Sequence, residues 1–246
     1  MTNFNLGTLS STPSHFSFET PDPTDVYQFQ ISSTRNVNLS LNEISAGDDS
    51  DLRLFRDVNG NGILDAADRA NGLVASSRNG SNFDESINVR ANAGTYFAEV
   101  SRFSGSGTVT YDLDWSATTP NSTLDFNNLL PKEFELGDLS GDIARTGFIS
   151  DKNTADVYHF SLGGFEGVNI TLSGLSNDAD IRLIRDFNRN GRVEAGEEIA
   201  RSINSGITSD IISNIKDAGD YFLQVDQFKG STNYTLSFDH FTTSEA

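Results

Sequence analysis

The chain contains one sequence pattern twice, and this duplication constrains its fold more than any other feature. Residues 4–10 match residues 134–140, and residues 25–29 match residues 156–160, with further matches in the same order. Each copy has the length of a single domain, and the period is too long for a solenoid or a propeller. The sequence therefore predicts two copies of one domain.

A polar stretch between the copies predicts where the domains meet. Residues 118–123 read Thr-Thr-Pro-Asn-Ser-Thr, a composition that is typical of a linker. We expect a first domain over residues 1–117, a linker over 118–131 and a second domain over 132–246.

Apolar and polar residues alternate along most of both copies. The first example is the run Tyr27, Phe29 and Ile31, in which glutamines separate the apolar residues. A period of two places successive side chains on opposite faces of a strand, and one buried face with one solvated face is typical of antiparallel sheets. Short strands between Gly, Asn, Asp and Ser turns predict an all-β fold of two tandem antiparallel β-sandwich or barrel domains.

Two twelve-residue runs, 57–68 and 186–197, have the spacing of a calcium-binding loop. Oxygen-bearing side chains occupy loop positions 1, 3, 5, 9 and 12, a glycine occupies position 6, and position 7 offers its carbonyl. The candidate ligands of the first loop are Asp57, Asn59, Asn61, Ile63, Asp65 and Asp68. Those of the second loop are Asp186, Asn188, Asn190, Arg192, Glu194 and Glu197. We therefore expect two Ca²⁺ ions, one in each domain.

The spacing has a physical reason, because Ca²⁺ takes six to eight oxygens and a short loop supplies them only by curling around the ion. A simpler alternative exists, since Asn-Gly steps also form tight turns between strands. A turn does not require carboxylates at positions 1, 9 and 12, and it does not require them twice. The asparagines, and the arginines in or beside the loops, favour weak binding with Kd of ~10⁻⁵ to 10⁻³ M. These arginines are Arg56, Arg69, Arg185, Arg189 and Arg192.

The segments that lead into the loops distinguish them from EF-hands. Residues 51–55 and 180–184 alternate with period two, which predicts strands rather than the helices of an EF-hand. The segments that follow the loops also read as extended, with room for one helical turn at residues 66–68. We expect each ion in a strand-to-strand connection.

Charge and composition exclude several classes of partner. The net charge of −18 argues against nucleic acids and anionic membranes, which both need basic patches. The absence of cysteine excludes disulfides and thiolate metal sites, and no apolar run reaches the ~18 residues of a membrane-spanning helix. Residues 1–5 lack the basic and apolar regions of a signal peptide. We expect an extracellular protein exported without such a signal, with a cytoplasmic location as the alternative.

The sequence carries none of the common catalytic motifs. The three histidines have no metal-ligand spacing, and neither a Gly-x-Ser-x-Gly elbow nor a phosphate-binding glycine loop occurs. We therefore predict that the chain is not an enzyme. Four aspartates recur at equivalent strand starts, where we expect turn caps, with an additional cation site as the alternative. They are Asp25, Asp51, Asp156 and Asp180.

The order of the motifs supports a family resemblance. Five short motifs follow one another in both copies: Leu-Gly-x-Leu-Ser, Asp-Val-Tyr-x-Phe, Asp-[Leu/Ile]-Arg-Leu, Gly-[Thr/Asp]-Tyr-Phe and Tyr-x-Leu. This order resembles the bacterial pre-peptidase C-terminal domain, and the two loops are similar to EF-hand and dockerin calcium loops. The resemblance implies jelly-roll-like β-sandwiches that serve as accessory modules of secreted bacterial proteins. It also implies that some relatives bind calcium, and that those in bacterial collagenases bind collagen.

The resulting expectation is a non-catalytic, calcium-stabilised tandem module with a secreted accessory or adhesion role. Its macromolecular partner would be an extracellular protein or a polysaccharide. Two alternatives come from other classes of protein: an intracellular calcium buffer or sensor, and a hydrolase that uses acidic residues with calcium.

Overall fold

A computed structural model describes residues 2–243, which divide into two compact units. The first unit comprises the chain through Pro120 together with 127–131, and the second comprises 121–126 together with the chain from Lys132 onward. Each unit contains one five-stranded sheet and one four-stranded sheet. The predicted fold class of two tandem β-sandwich domains is confirmed.

The first domain is built from nine strands and one short helix. The elements are β1 (Thr2–Thr8), β2 (Ser14–Thr20), β3 (Thr24–Ile31), β4 (Arg35–Asn42), β5 (Asp49–Arg56), α1 (Ala66–Asn71), β6 (Leu73–Ser77), β7 (Glu85–Ala91), β8 (Gly94–Ser104) and β9 (Val109–Thr118). The strand orders are β1-β3-β8-β5-β6 in one sheet and β2-β9-β4-β7 in the other. Strands β1 and β3 run parallel, whereas the other described pairs of this domain are antiparallel.

Through residue 243, the second domain repeats this arrangement without the helix. Its strands are β10 (Phe134–Asp138), β11 (Ile143–Ile149), β12 (Ala155–Leu162), β13 (Glu166–Ser173), β14 (Asp178–Ile184), β15 (Glu198–Ser202), β16 (Asp210–Ile215), β17 (Gly219–Lys229) and β18 (Thr232–Thr242). The orders β10-β12-β17-β14-β15 and β11-β18-β13-β16 match those of the first domain strand for strand. The sequence duplication is therefore a duplication of topology.

The core of each domain lies between its two sheets, where the alternating apolar residues meet. Tyr27 and Phe29 of β3 are fully buried in the first core, and Tyr158 and Phe160 of β12 occupy the same positions in the second. Trp115, the single tryptophan, is buried in the first core. The period-two pattern thus identified the inward faces correctly.

A hydrogen-bonded pair of tyrosines crosses each core and ends on a buried aspartate. The hydroxyl oxygens of Tyr27 and Tyr111 are 2.8 Å apart, and the Tyr111 hydroxyl donates to Asp25 Oδ2 at 2.8 Å. In the second domain Tyr158 and Tyr234 pair at 2.7 Å, and Tyr234 donates to Asp156. Asp25 and Asp156, for which we expected turn caps, therefore have a role in the core that the sequence did not predict.

Part of the predicted linker packs on the second domain. The guanidinium of Arg182 lies 5.2 Å from the centre of the Phe126 ring, and Arg201 Nη1 donates to the carbonyl of Thr123 at 3.0 Å. A cation over an aromatic face is attracted by the ring quadrupole. These contacts fix residues 121–126 on the second domain.

Candidate metal centres

Each candidate calcium loop connects two adjacent antiparallel strands of a five-stranded sheet. The first loop runs from the end of β5 to α1 and β6, and the second runs from β14 to β15. The base of the first loop is closed because Arg56 N donates to the Gly72 carbonyl at 2.7 Å. In the second loop Arg185 N donates to the Glu197 carbonyl at 2.9 Å. The prediction that strands lead into both loops is confirmed.

The carboxylate at loop position 1 organises the turn of the backbone. Asp57 Oδ1 accepts from Gly60 N at 2.7 Å, and Asp57 Oδ2 accepts from Gly62 N at 2.9 Å. In the second loop Asp186 Oδ2 accepts from Gly191 N at 2.8 Å. Each of these oxygens has a second lone pair that remains available to another donor or to a cation.

The asparagines at positions 3 and 5 form local side-chain turns. Asn59 Oδ1 accepts from Asn61 N at 3.0 Å, and Asn61 Oδ1 accepts from Ile63 N at 2.8 Å. The second loop has the same bonds, in which Asn188 Oδ1 accepts from Asn190 N and Asn190 Oδ1 accepts from Arg192 N. Such Asx turns hold the side chains against the backbone. Both amide groups therefore have fixed positions inside the loop.

The carboxylate at position 9 receives both amide groups. The Nδ2 atoms of Asn59 and Asn61 donate to Asp65 Oδ2 at 2.9 and 2.8 Å. Glu194 receives the equivalent bonds from Asn188 and Asn190 at 3.0 and 2.9 Å. The bond from Asn59, followed by those from Ala67 N and Asn61, lowers the pKa of Asp65, so this carboxyl group stays ionised. Positions 3, 5 and 9 thus converge in both loops.

The carboxylate at position 12 joins the two ends of each loop. Asp68 is fully buried, and its oxygens accept from Val58 N at 2.8 Å and from Asp65 N at 3.1 Å. Glu197, also buried, accepts from Phe187 N at 3.1 Å and from Glu194 N at 2.8 Å. Glu197 therefore accepts hydrogen bonds from the same two loop positions as Asp68, although its side chain is longer.

The backbone takes the same left-handed turns in both loops. Gly62 and Gly191 at position 6 have φ of 72° and 71°, which favours glycine. At position 4, Gly60 has φ of 73°, and Arg189 adopts φ of 58° although it has a side chain. A left-handed conformation disfavours a residue with Cβ. The second loop therefore keeps the shape of the first despite a less suitable residue.

Two features of the first loop were not evident from the spacing alone. Asp65 is the N-cap of α1, since its Oδ1 accepts from Ala67 N at 2.8 Å and Asp68 completes a capping box. Leu64 packs against Val26, Phe55 and Phe97 on the outer face of the sheet. In the sequence, only the apolar residue at position 8 of the loop indicates this packing contact. The side chain of Ile63 is largely exposed, which is compatible with its expected role through the carbonyl.

The donor atoms have the chemistry that calcium needs, although they are arranged around an interior filled by hydrogen bonds. Within residues 2–243, no three His, Cys, Asp or Glu side chains are grouped so that they could hold a metal ion. In the loops, the amide nitrogens of the asparagines, rather than their oxygens, face the carboxylate at position 9. All twelve candidate ligands nevertheless lie in the two loops, at equivalent places.

No helix in the described part of the chain has the length and apolar character needed to span a membrane.

Comparisons with known proteins agree with the duplicated fold. A family model for the bacterial pre-peptidase C-terminal domain matches residues 23–102 and 154–227, which together make up more than half of the chain. Among curated proteins, no sequence match was found.

Several solved structures are similar to parts of the chain or to most of it. The pre-peptidase C-terminal domain of collagenase from Bacillus anthracis is 18% identical, with 47% of this chain and 93% of that chain covered and a TM-score of 0.31. PliG, a periplasmic inhibitor of g-type lysozyme from Aeromonas hydrophila, is 17% identical, with coverage of 44% and 97% and a TM-score of 0.30. The turret protein A223 of Sulfolobus turreted icosahedral virus is 14% identical, with coverage of 94% and 98% and a TM-score of 0.28.

Proposed function

The chain belongs to the bacterial pre-peptidase C-terminal domain family, and from this premise we propose that it is a calcium-binding accessory module of a secreted protein. Members of this family are non-catalytic β-sandwich modules. In the proposed function, loops 57–68 and 186–197 each hold one Ca²⁺ ion, and the ions stabilise the two domains.

The observation that carries the proposal is the repetition of one hydrogen-bond pattern in two loops of different sequence. The loops differ at seven of their twelve positions, including 4, 9 and 12. In both loops the side chains at positions 3, 5 and 9 nevertheless meet, and the carboxylate at position 12 bonds to both ends of the loop. A tight turn between strands needs none of these carboxylates. A shared cation explains why both loops keep them.

The residues that would hold calcium are those with side-chain oxygens in the loop, together with one carbonyl. In the first loop they are Asp57, Asn59, Asn61, Ile63, Asp65 and Asp68, and in the second they are Asp186, Asn188, Asn190, Arg192, Glu194 and Glu197. If each asparagine amide group rotates by half a turn, its oxygen takes the place of its Nδ2 atom and faces position 9. Bound Ca²⁺ would supply positive charge to three carboxylates in each loop.

The strands around the loops favour stabilisation over signalling. A calcium sensor of the EF-hand type responds by changing the angle between two helices. Here each loop joins two paired strands, and the one described helix of the first loop, α1, has only six residues. The loops therefore offer no helix pair to open, which disfavours the sensor alternative.

A secreted location agrees with the expected weak affinity. Domains of this family are typically found in secreted proteins, and extracellular calcium modules bind in the ~10⁻⁴ to 10⁻³ M range. The proposed partner is an extracellular protein or a polysaccharide, for which the tandem domains would act as an accessory or adhesion module.

Calcium binding to the full chain tests the proposal directly. We expect titration calorimetry to show that Asp57→Ala removes the first loop site, that Asp186→Ala removes the second, and that the double variant loses both. Asp220→Ala is the matched control, because Asp220 is an exposed aspartate on β17 outside the loops. Unchanged calcium binding by the double variant would refute the proposal, and a Kd in the micromolar range or below would support the alternative of an intracellular buffer.

A further inference from the structure

A second set of carboxylates lies in the second domain, outside its calcium loop. Asp178 and Asp180 are on β14, Asp210 begins β16, and Asp226 is on β17. Asp180 is directly opposite Asp226 in the register of β14 and β17. Strands β14 and β16 belong to different sheets and contact each other. The fold thus brings together aspartates from three separate strands.

The carboxylate of Asp180 is buried without a compensating partner. Asp180 is 2% exposed, and within the described residues its side chain makes no hydrogen bond or ion pair, so that its carboxyl group is influenced only by burial and by three other carboxylates. Asp178 Oδ1 is buried and has no hydrogen-bond donor in the same part of the chain. A buried charge is costly unless a counter-charge or a proton compensates it.

Asp210 is held in place through one oxygen only. Its Oδ1 accepts from Ser202 Oγ at 2.7 Å and from Asn204 N at 2.7 Å. Its Oδ2 has no donor among the described residues, although the residue is fully buried. The β15–β16 connection therefore orients a carboxylate whose second oxygen is unused.

The charges of the group raise the pKa values of its own members. Burial, followed by the charges of Asp178, Asp210 and Asp226, raises the pKa of Asp180 to about 7. Burial raises the pKa of Asp210 too, and the charge of Asp178 adds to this effect. A nearby like charge disfavours ionisation, whereas a bound cation would reverse the effect.

The first domain has an equivalent group, in which Asp51 and Glu85 have partners. Asp51 pairs with Arg53, whose Nη2 lies 3.7 Å from its Oδ2. Glu85 has the place of Asp210, and both of its oxygens are used, by Ser77 Oγ and by Asn79 N.

The arginine of the second domain is directed elsewhere. Arg182 has the place of Arg53 in the strand register. It donates to Gln224 Oε1 at 2.7 Å and to Glu198 Oε2 at 3.4 Å. The negative charge of Asp226 also stabilises its positive charge. Neither bond reaches Asp178, Asp180 or Asp210.

We propose that Asp178, Asp180 and Asp210 form a third divalent-cation site, which takes Ca²⁺ independently of the two loops. Carboxylate oxygens are the ligands that Ca²⁺ prefers, and backbone carbonyls and water complete its coordination in proteins. The three carboxylates are not yet grouped as a metal site, so binding draws their unused oxygens together. The site links the two sheets of the second domain at the start of β14.

Equilibrium dialysis with radioactive calcium tests this site in the full chain. In the background Asp57→Ala/Asp186→Ala, which lacks the loop sites, we expect one Ca²⁺ per chain to remain. Adding Asp180→Asn is expected to abolish this binding, whereas adding Asp220→Asn, an exposed control on β17, leaves it unchanged. Absence of bound calcium in the background variant, or binding that survives Asp180→Asn, would overturn the proposal.

A second variant separates loss of binding from loss of folding. Asp178 is only half-buried, so Asp178→Asn is easily accommodated and is expected to weaken calcium binding at this site at least tenfold. Without calcium, Asp180→Asn is expected to raise the Tm, because it removes a like charge; a lowered Tm would contradict the assigned repulsion. The loop proposal fails on a different result, namely unchanged stoichiometry when the loops alone are altered.

Discussion

Removal of calcium is expected to lower the Tm of both domains. A ligand that binds only the folded state stabilises it by RT ln(1 + [L]/Kd), which is about 2.7 kcal/mol for one site when the ligand concentration is a hundred times Kd. Each loop connects two paired strands, so an ion bound there would be lost when the domain unfolds. Thermal melts of the full chain with calcium and with a chelator measure the effect.

The position of Trp115 allows the two domains to be followed separately. This single tryptophan lies in the core of the first domain, so its fluorescence reports the unfolding of that domain, while far-ultraviolet circular dichroism reports both. We expect Asp57→Ala to abolish the calcium dependence of the fluorescence transition and Asp186→Ala to leave it intact. A calcium-dependent shift of the same size in Asp57→Ala would show that the first loop is not responsible.

The tyrosine pair in each core predicts an unequal effect of two similar substitutions. Tyr234 both accepts from Tyr158 and donates to the buried Asp156, whereas Tyr158 makes only the first of these bonds. Tyr234→Phe therefore removes the partner of two buried groups and is expected to cost about 1–3 kcal/mol of unfolding free energy. Tyr158→Phe removes one bond and is expected to cost about 0.5–1.5 kcal/mol.

Urea denaturation followed by circular dichroism measures this difference, and Tyr111→Phe provides the matched control. Tyr111 has the place of Tyr234 in the first domain, so its substitution is expected to shift the tryptophan transition. Tyr234→Phe should leave that transition unchanged. Equal costs for Tyr158→Phe and Tyr234→Phe would show that the hydrogen bond to Asp156 does not contribute to stability.

The loops could be predicted from the sequence because their information is local. Ligand spacing is set within twelve consecutive residues, and the period-two flanks identify the adjoining strands without knowledge of the rest of the fold. The direction of the asparagine amides depends on what occupies the interior of the loop, which spacing does not determine. The helix α1 follows from Asp65 acting as an N-cap, a second role for a residue that we assigned to the ion.

Features that depend on distant residues could not be predicted in this way. Alternation identifies which face of a strand is buried, but it does not identify neighbours, so the parallel pairing of β1 with β3 came only from the structure. The expectation of a turn cap at Asp180 is wrong, because no hydrogen bond to this side chain is present among the described residues. Asp210 is thirty residues further along the chain, and only the packing of β16 against β14 brings the two together.

The most direct test of calcium binding by the loops is a crystal structure of the full chain grown with millimolar Ca²⁺. We expect an ion in each of loops 57–68 and 186–197, with oxygen ligands at about 2.3–2.6 Å and with the asparagine oxygens turned toward it. Loops that contain no ion at that concentration, with Asn59 and Asn61 still donating to Asp65, would contradict calcium binding by the loops.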